Sequence, residues 1–116
     1  MNSPAVSAEE RADDRSMLLE RCKTVVRRLV PEATLILYGS RARGDASPAS
    51  DYDVLVLVDA EVSSALEDRI GDALYEIELE HDAVISALVF NRQVWNGARY
   101  RALPLHESVD REGIVL

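Results

Sequence analysis

The feature that most constrains this chain is the run Asp51–Val58 (D-Y-D-V-L-V-L-V). Its last five residues are uninterrupted Val and Leu. Such a run reads as a strand buried on both faces, inside a sheet with helices packed on it. A second β-rich run, Thr34–Tyr38 (T-L-I-L-Y), precedes it, and a third, Ala83–Phe90 (A-V-I-S-A-L-V-F), follows. Between them the period changes. From Ala8 to Val30, Leu18, Cys22, Val25 and Leu29 recur at steps of three and four, with Glu9, Arg11, Asp13, Asp14 and Lys23 on the wet side, and Pro31 stops the helix. Asp59–His81 repeats the pattern with Val62, Leu66, Ile70, Leu74, Ile77 and His81 on one stripe. Asn91 is placed to cap a short helix through Trp95. Pro104 and Gly113 bracket a last helix, and Ile114–Leu116 can add a short edge strand. The expected order is α-β-turn-β-α-β-α-α: one α/β (α+β) domain over residues 8–116, a small mixed β-sheet with helices packed on it. Residues 1–7 are small and polar, and are expected to be disordered.

At 116 residues there is length for one domain and no second one for a substrate. Thirteen basic against 21 acidic residues, a net charge of −8, argue against direct nucleic-acid binding, which needs positive surface. Cys22 stands alone, so no internal disulfide or thiolate metal site can form, which suits a reducing compartment. There is no long apolar run and no leader-like start, so the expected setting is cytoplasmic, with no membrane association.

The chemistry-bearing stretch is Gly39-Ser40-Arg41-Ala42-Arg43-Gly44-Asp45-Ala46-Ser47-Pro48-Ala49-Ser50-Asp51-Tyr52-Asp53. Asp51 and Asp53 are two apart at a strand start, so they leave the same face with Cα atoms about 6–7 Å apart. Two carboxylates so spaced can converge on Mg²⁺, which takes one or two carboxylates together with substrate phosphates; the bland alternative is a pair of exposed aspartates. Gly39 lets backbone approach a ligand, and Ser40 offers a hydroxyl and the free amides of a helix start. Alone, Gly-Ser is a common turn. Arg41 and Arg43 are either phosphate-side cations or partners of carboxylates such as Asp45. The spacing Gly39…Gly44 is no Walker A loop, because Asp45-Ala46 stands where Lys-Ser/Thr is needed. Arg43-Gly44-Asp45 spells an adhesion tripeptide by chance.

Taken together, a strand, Gly-Ser, ten residues, Asp-x-Asp and a second strand resemble the polymerase-β-type nucleotidyltransferase superfamily, and most of all its minimal nucleotidyltransferases. The resemblance is dense over residues 34–58 and implies the nucleotidyltransferase fold. It implies that Gly39 and Ser40 hold a nucleoside triphosphate, that Asp51 and Asp53 ligate Mg²⁺, with a two-ion site in active members, and that Ser50 fixes the loop entering the metal site. It further implies transfer of a nucleoside monophosphate, AMP by the same likeness, from a triphosphate such as ATP to a hydroxyl. In two-gene modules such proteins serve as antitoxins to a HEPN-domain partner, and the missing substrate domain agrees with a partner protein as acceptor.

One departure stands out. Active members carry a third carboxylate on the next strand, here expected at Val84, and Ala83–Phe90 contains no acid. Asp82 and Ser86 share that face by alternation, and Asp82 would serve only if the strand shifts by two. The alternative to an enzyme is therefore an inactive nucleotide- or partner-binding module; modification of a small molecule would need a dimer to complete the site. Pairing through the Ile114–Leu116 edge, with a second copy as a homodimer or with a partner, is a further expectation. Of the other residues, His81 reads as packed or capping, His106 as exposed, Trp95 and Tyr100 as anchors of a terminal helix, and Tyr38 as packed.

Overall fold

The computed structural model describes residues 8–116, with side chains from Asp14 onward. The expected disorder of residues 1–7 and the wet side at Glu9, Arg11 and Asp13 lie outside the described residues.

Helix α1 (Ala8–Leu29) leads into β1 (Thr34–Tyr38), a single turn α2 (Ser40–Arg43), β2 (Tyr52–Val58) and helix α3 (Ser64–His81). Then follow β3 (Ile85–Asn91), the short helices α4 (Arg92–Trp95) and α5 (Ala98–Arg101), α6 (Pro104–Glu112) and β4 (Ile114–Val115). The sheet is mixed and four-stranded, in the order β3-β2-β1-β4. β1 is antiparallel to β2 and to β4, and β2 is parallel to β3. The all-apolar run therefore lies in an interior strand, as its sequence requires.

Each face of β2 feeds its own core. Tyr52, Val54, Val56 and Val58 point to one side, where Leu18, Cys22 and Val26 of α1, Val30 just after it, and Ile70, Leu74 and Ile77 of α3 cover them. Leu55 and Leu57 point to the other, under Trp95 and Val109. Each aliphatic side chain buried this way is worth about 1.5–3 kcal/mol. Burial pushes the Cys22 thiol up to about 12, with Arg21 opposing, so this cysteine is an inert core residue.

Four details differ from the sequence reading. Helix α3 begins at Ser64 and not Asp59, because the Ser63 hydroxyl accepts the Leu66 N–H at 3.1 Å and wins the N-cap. β3 starts two residues late, since Asp82 ends α3 in the left-handed conformation (φ 49°) and Ala83–Val84 complete the turn. α5 had no periodic signal. His106, expected to be exposed, is 5% exposed: its ring stacks on Trp95 at 4.6 Å, and its Nδ1 faces Asp110 at 3.1 Å. Asn91 caps α4 as expected, accepting from the Gln93 and Val94 amides, and Pro104 opens α6.

Candidate active site

The two carboxylates lie on the α4–α6 side of the sheet, at the end of β2 those helices leave open. Strand alternation turns Asp53 to the same side as Leu55 and away from Tyr52. Asp51, one residue before the strand, accepts a hydrogen bond from the Ser86 hydroxyl at 3.3 Å, and Ser86 is the Cα partner of Asp53 on β3. Asp51, Asp53 and Ser86 thus form one cluster across β2 and β3.

Gly39 closes it from the β1 side. Tyr38 pairs with Asp53 in the antiparallel ladder, which brings the residue after the strand alongside the carboxylate. Gly39 has φ 74° and ψ −158°, a region essentially confined to glycine. A Cβ built on it would collide with the Asp53 carboxylate oxygen and lie 3.3 Å from its Cγ. Conformation and space both demand glycine here. The Gly39 carbonyl accepts the amides of Ala42 and Arg43, so the chain turns at once into α2. Ser40 and Arg41 open that turn, and amides at a helix start have no carbonyl one turn back to pair with.

Burial and the neighbouring Asp51 carboxylate push the Asp53 carboxyl above its ordinary value, with Arg43 pulling the other way. Burial, then Asp53, likewise raises the Tyr38 phenol. Two anions thus share a partly desolvated corner, an arrangement a bound cation relieves. The local arginines do little to neutralise it. Arg43 pairs with Asp45 at 3.1 Å and with Glu112 of α6 at 3.2 Å, so the expected carboxylate partner is real and a second tie holds α2 to α6.

Arg41 sits on the far side of β2. Its guanidinium lies 4.2 Å above the Tyr52 ring and donates to the carbonyls of Ser50 (2.9 Å) and Pro48 (3.2 Å). It is a clamp on the loop that delivers Asp51, whereas the sequence suggested a phosphate-side position. Ser50 acts in the same loop: its hydroxyl accepts the Ser47 amide at 2.9 Å, and its own amide donates to the Ser47 carbonyl at 3.0 Å. The Arg41 clamp makes a prediction. Arg41→Ala should weaken the response to divalent metal by about 10–100-fold, the scale of losing a group that orients metal ligands. Arg41→Lys should not fully rescue it, because an ammonium is a compact point charge without the planar fork that lies flat on the ring and aims at both carbonyls. Metal titrations of the three proteins check this, and full rescue by Lys would contradict the clamp.

Ser86, two residues beyond Val84, is the β3 residue that meets the carboxylate pair. Asp82 lies off the strand and lines a cavity on the opposite face. That cavity, about 490 Å³, is bounded by Arg15, Arg41, Ser47, Tyr52 and His81 among others, with His81 Nδ1 2.8 Å from Asp14. Asp51, Asp53 and Gly39 do not line it. The carboxylates and the glycine-only backbone converge on the other face. Among the described residues, no group of three or more His, Cys, Asp or Glu is placed to hold a metal.

Comparison with known proteins gives the family of the chain. The family profile described as "Nucleotidyltransferase domain" matches residues 19–103, which span every element of the site. "Putative protein adenylyltransferase MJ0604" of Methanocaldococcus jannaschii is 33% identical over 82 residues, covering 71% of this chain and 75% of the relative. "Probable protein adenylyltransferase MntA" of Haemophilus influenzae is 33% identical over 67 residues, covering 58% and 59%. The chain thus spans well under two thirds of the latter relative's length. A solved structure titled "Crystal structure of the toxin-antitoxin with AMP-PNP" superposes with a TM-score of 0.60 at 15% identity, over 83% of this chain and 69% of that one. The chain belongs to the nucleotidyltransferase domain family, and its mixed sheet with flanking helices is that fold. No helix among the described residues is long and apolar enough to cross a membrane.

Proposed function

We propose that this protein binds a magnesium–nucleoside triphosphate at Gly39-Ser40 and Asp51/Asp53 and transfers the nucleoside monophosphate, AMP, to a hydroxyl of a partner protein. The observation that carries this reading is the packing of Gly39 against the Asp53 carboxylate, which puts an open backbone turn and a carboxylate pair in one corner. The donor set fits a hard divalent ion: two oxygen ligands from the protein, with substrate phosphates supplying the rest. Such an ion, when bound, supplies charge neutralisation at the phosphates and activation of the acceptor oxygen. The residues do the positioning. Gly39 keeps side chains away from the phosphate path, Ser40 offers a hydroxyl and an amide, Ser86 orients Asp51, and Arg41 with Ser50 holds the loop that presents it. In the transfer, the acceptor oxygen bonds to the α-phosphorus, the bond from that phosphorus to the bridging oxygen breaks, pyrophosphate leaves with the electron pair, and the hydroxyl proton goes to solvent. Similarity to proteins named as protein adenylyltransferases, and to a toxin–antitoxin structure with AMP-PNP, supports adenylate as the group and a protein as the acceptor. The toxin–antitoxin likeness is in keeping with an antitoxin role; that the partner is a HEPN-domain toxin and the setting the cytoplasm are parts of the proposal that rest on the sequence resemblance alone. The test is Mg²⁺-dependent incorporation of label from α-labelled ATP into the protein encoded beside this one. No incorporation with Mg²⁺ or Mn²⁺ would defeat the enzymatic reading.

Ser86 favours a second reading, a binding module without turnover, because a hydroxyl stands where a third carboxylate would add a metal ligand. The two readings separate on one substitution. If the site is a slow enzyme limited by its second ion, Ser86→Asp should raise transfer by about 10-fold or more, a gain within the 10–100-fold scale of changes next to a metal site. A site that only binds shows no turnover with either residue, which single-turnover assays would reveal.

A further inference from the structure

The edge of the sheet beside the carboxylates is open, and its two ends differ. β3 is the terminal strand, with β2 on one side. The Val84 carbonyl accepts the Tyr52 amide at 2.9 Å, so in a parallel ladder the even-numbered residues of β3 bond inward and Ile85, Ala87 and Val89 turn their N–H and C=O groups outward. The outward Ile85 amide is capped by the Glu78 carboxylate at 2.9 Å. Among the described residues, no comparable cap covers Ala87 or Val89. At one end of this edge lies Ser86 with Asp51 and Asp53. At the other, about 13 Å along at roughly 3.3 Å per residue, is an apolar cavity of about 350 Å³ bounded by Val62, Val89, Phe90 and Val94, with Glu61 at its rim. The side chains flanking the edge are apolar and exposed: Val84 (53%), Leu88 (38%) and Val94 (49%).

We infer that this edge is the docking strip for the acceptor: an extended, basic segment of a partner protein adds to β3. It places an apolar side chain in the Val89–Val94 cavity and a hydroxyl residue four positions away beside Asp51 and Asp53. Strand addition supplies the main-chain bonds and the cavity supplies selectivity. The charge argues for the occupant. Asp51 and Asp53 at one end and Glu61 at the other make the strip acidic on a chain of net charge −8, and Arg92 near it is already bonded to Asp59, Thr34 and the Glu32 carbonyl. A second copy of the same acidic chain is a poor match, whereas a basic segment is a good one. Transfer to the docked hydroxyl rests on the proposed nucleotidyl transfer; docking itself does not.

The probe is a capped peptide, Arg-Leu-Arg-Val-Arg-Tyr-Arg, and its reversed sequence, added to the full chain and followed by amide NMR. The expected result is binding by at least one orientation, with shifts and exchange protection at the Ala87 and Val89 amides, and no binding by the version with Glu in place of Arg. Two variants test the strip without touching the nucleotide residues. Ala87→Pro removes one outward N–H, which an edge strand tolerates, and Val94→Lys puts a like charge at the exposed rim of the cavity. Each should weaken peptide binding at least about tenfold while leaving Mg-ATP affinity unchanged. Unaltered peptide affinity in both variants, shifts confined to another surface, no binding of either peptide, or concentration-dependent self-dimerisation through β3 would overturn the inference. AMP incorporation into the tyrosine that persists in both variants would sink the docking strip and spare the transferase reading. Docking without any incorporation would do the reverse.

Discussion

Asp53→Ala should abolish transfer, lowering the rate by about 10²–10³-fold or more, the scale on which removing one preorganised charged group falls. The same position should behave oppositely in stability. Burial and Asp51 raise the Asp53 carboxyl, so its ionised form is disfavoured in the folded protein. A group with a raised folded pKa favours folding at low pH and opposes it once pH rises through the range in which the folded carboxyl ionises. At neutral pH and without metal, Asp53→Asn should therefore melt slightly higher than the native chain, by about 1–2 °C after allowance for its partial exposure. Adding Mg²⁺ with ATP should raise the native melting point and not that of the variant. Calorimetry with and without metal, run beside the transfer assay, checks all three statements. A variant that loses activity and also loses stability would show that Asp53 is a structural residue.

Gly39→Ala carries the second large effect. The native backbone there costs an ordinary residue about 1–3 kcal/mol, and the added methyl must also displace the Asp53 carboxylate. We expect a loss of transfer of about 10²-fold or more, since misplacement by 1 Å is enough for that, together with a measurable fall in melting temperature. Gly44→Ala is the matched control. Gly44 also has a positive φ, 83°, but a Cβ there meets nothing within 4 Å. Its cost should be confined to the backbone, about 1–2 kcal/mol, with metal response retained. Equal loss of activity in the two variants would contradict the contact between Gly39 and Asp53.

The contrast between those glycines also shows where sequence reasoning reaches. The valine–leucine run of β2 told its own burial, because an interior strand with helices on both faces has no polar side to show. That Asp51 and Asp53 share a face was legible because period-two alternation fixes which side chains leave a strand together. Arg41 and Arg43 were not, because identical guanidinium groups two residues apart leave a helical turn in different directions. One meets loop carbonyls and the other meets Glu112, which is 69 residues away in sequence. The strand register around Val84 was missed because Asp82 can adopt the left-handed conformation that ends α3, a local choice that moved β3 by two residues. His106 was misplaced because Trp95, its stacking partner, lies on another helix. Only the Arg43 contact with Glu112 is far off in sequence, but in each case no local hydrophobic period carries the deciding feature.

The central claim is that the nucleotide sits on the carboxylate face and not in the cavity behind it. The direct measurement is a titration of the labelled protein with the non-hydrolysable analogue AMP-PNP and Mg²⁺, followed by amide NMR. The result expected is saturable, Mg²⁺-dependent perturbation centred on Gly39, Ser40, Asp51, Asp53 and Ser86, lost in the Asp51→Ala, Asp53→Ala double variant. Perturbation centred on Arg15, His81 and Asp82, or binding that survives in the double variant, would contradict it.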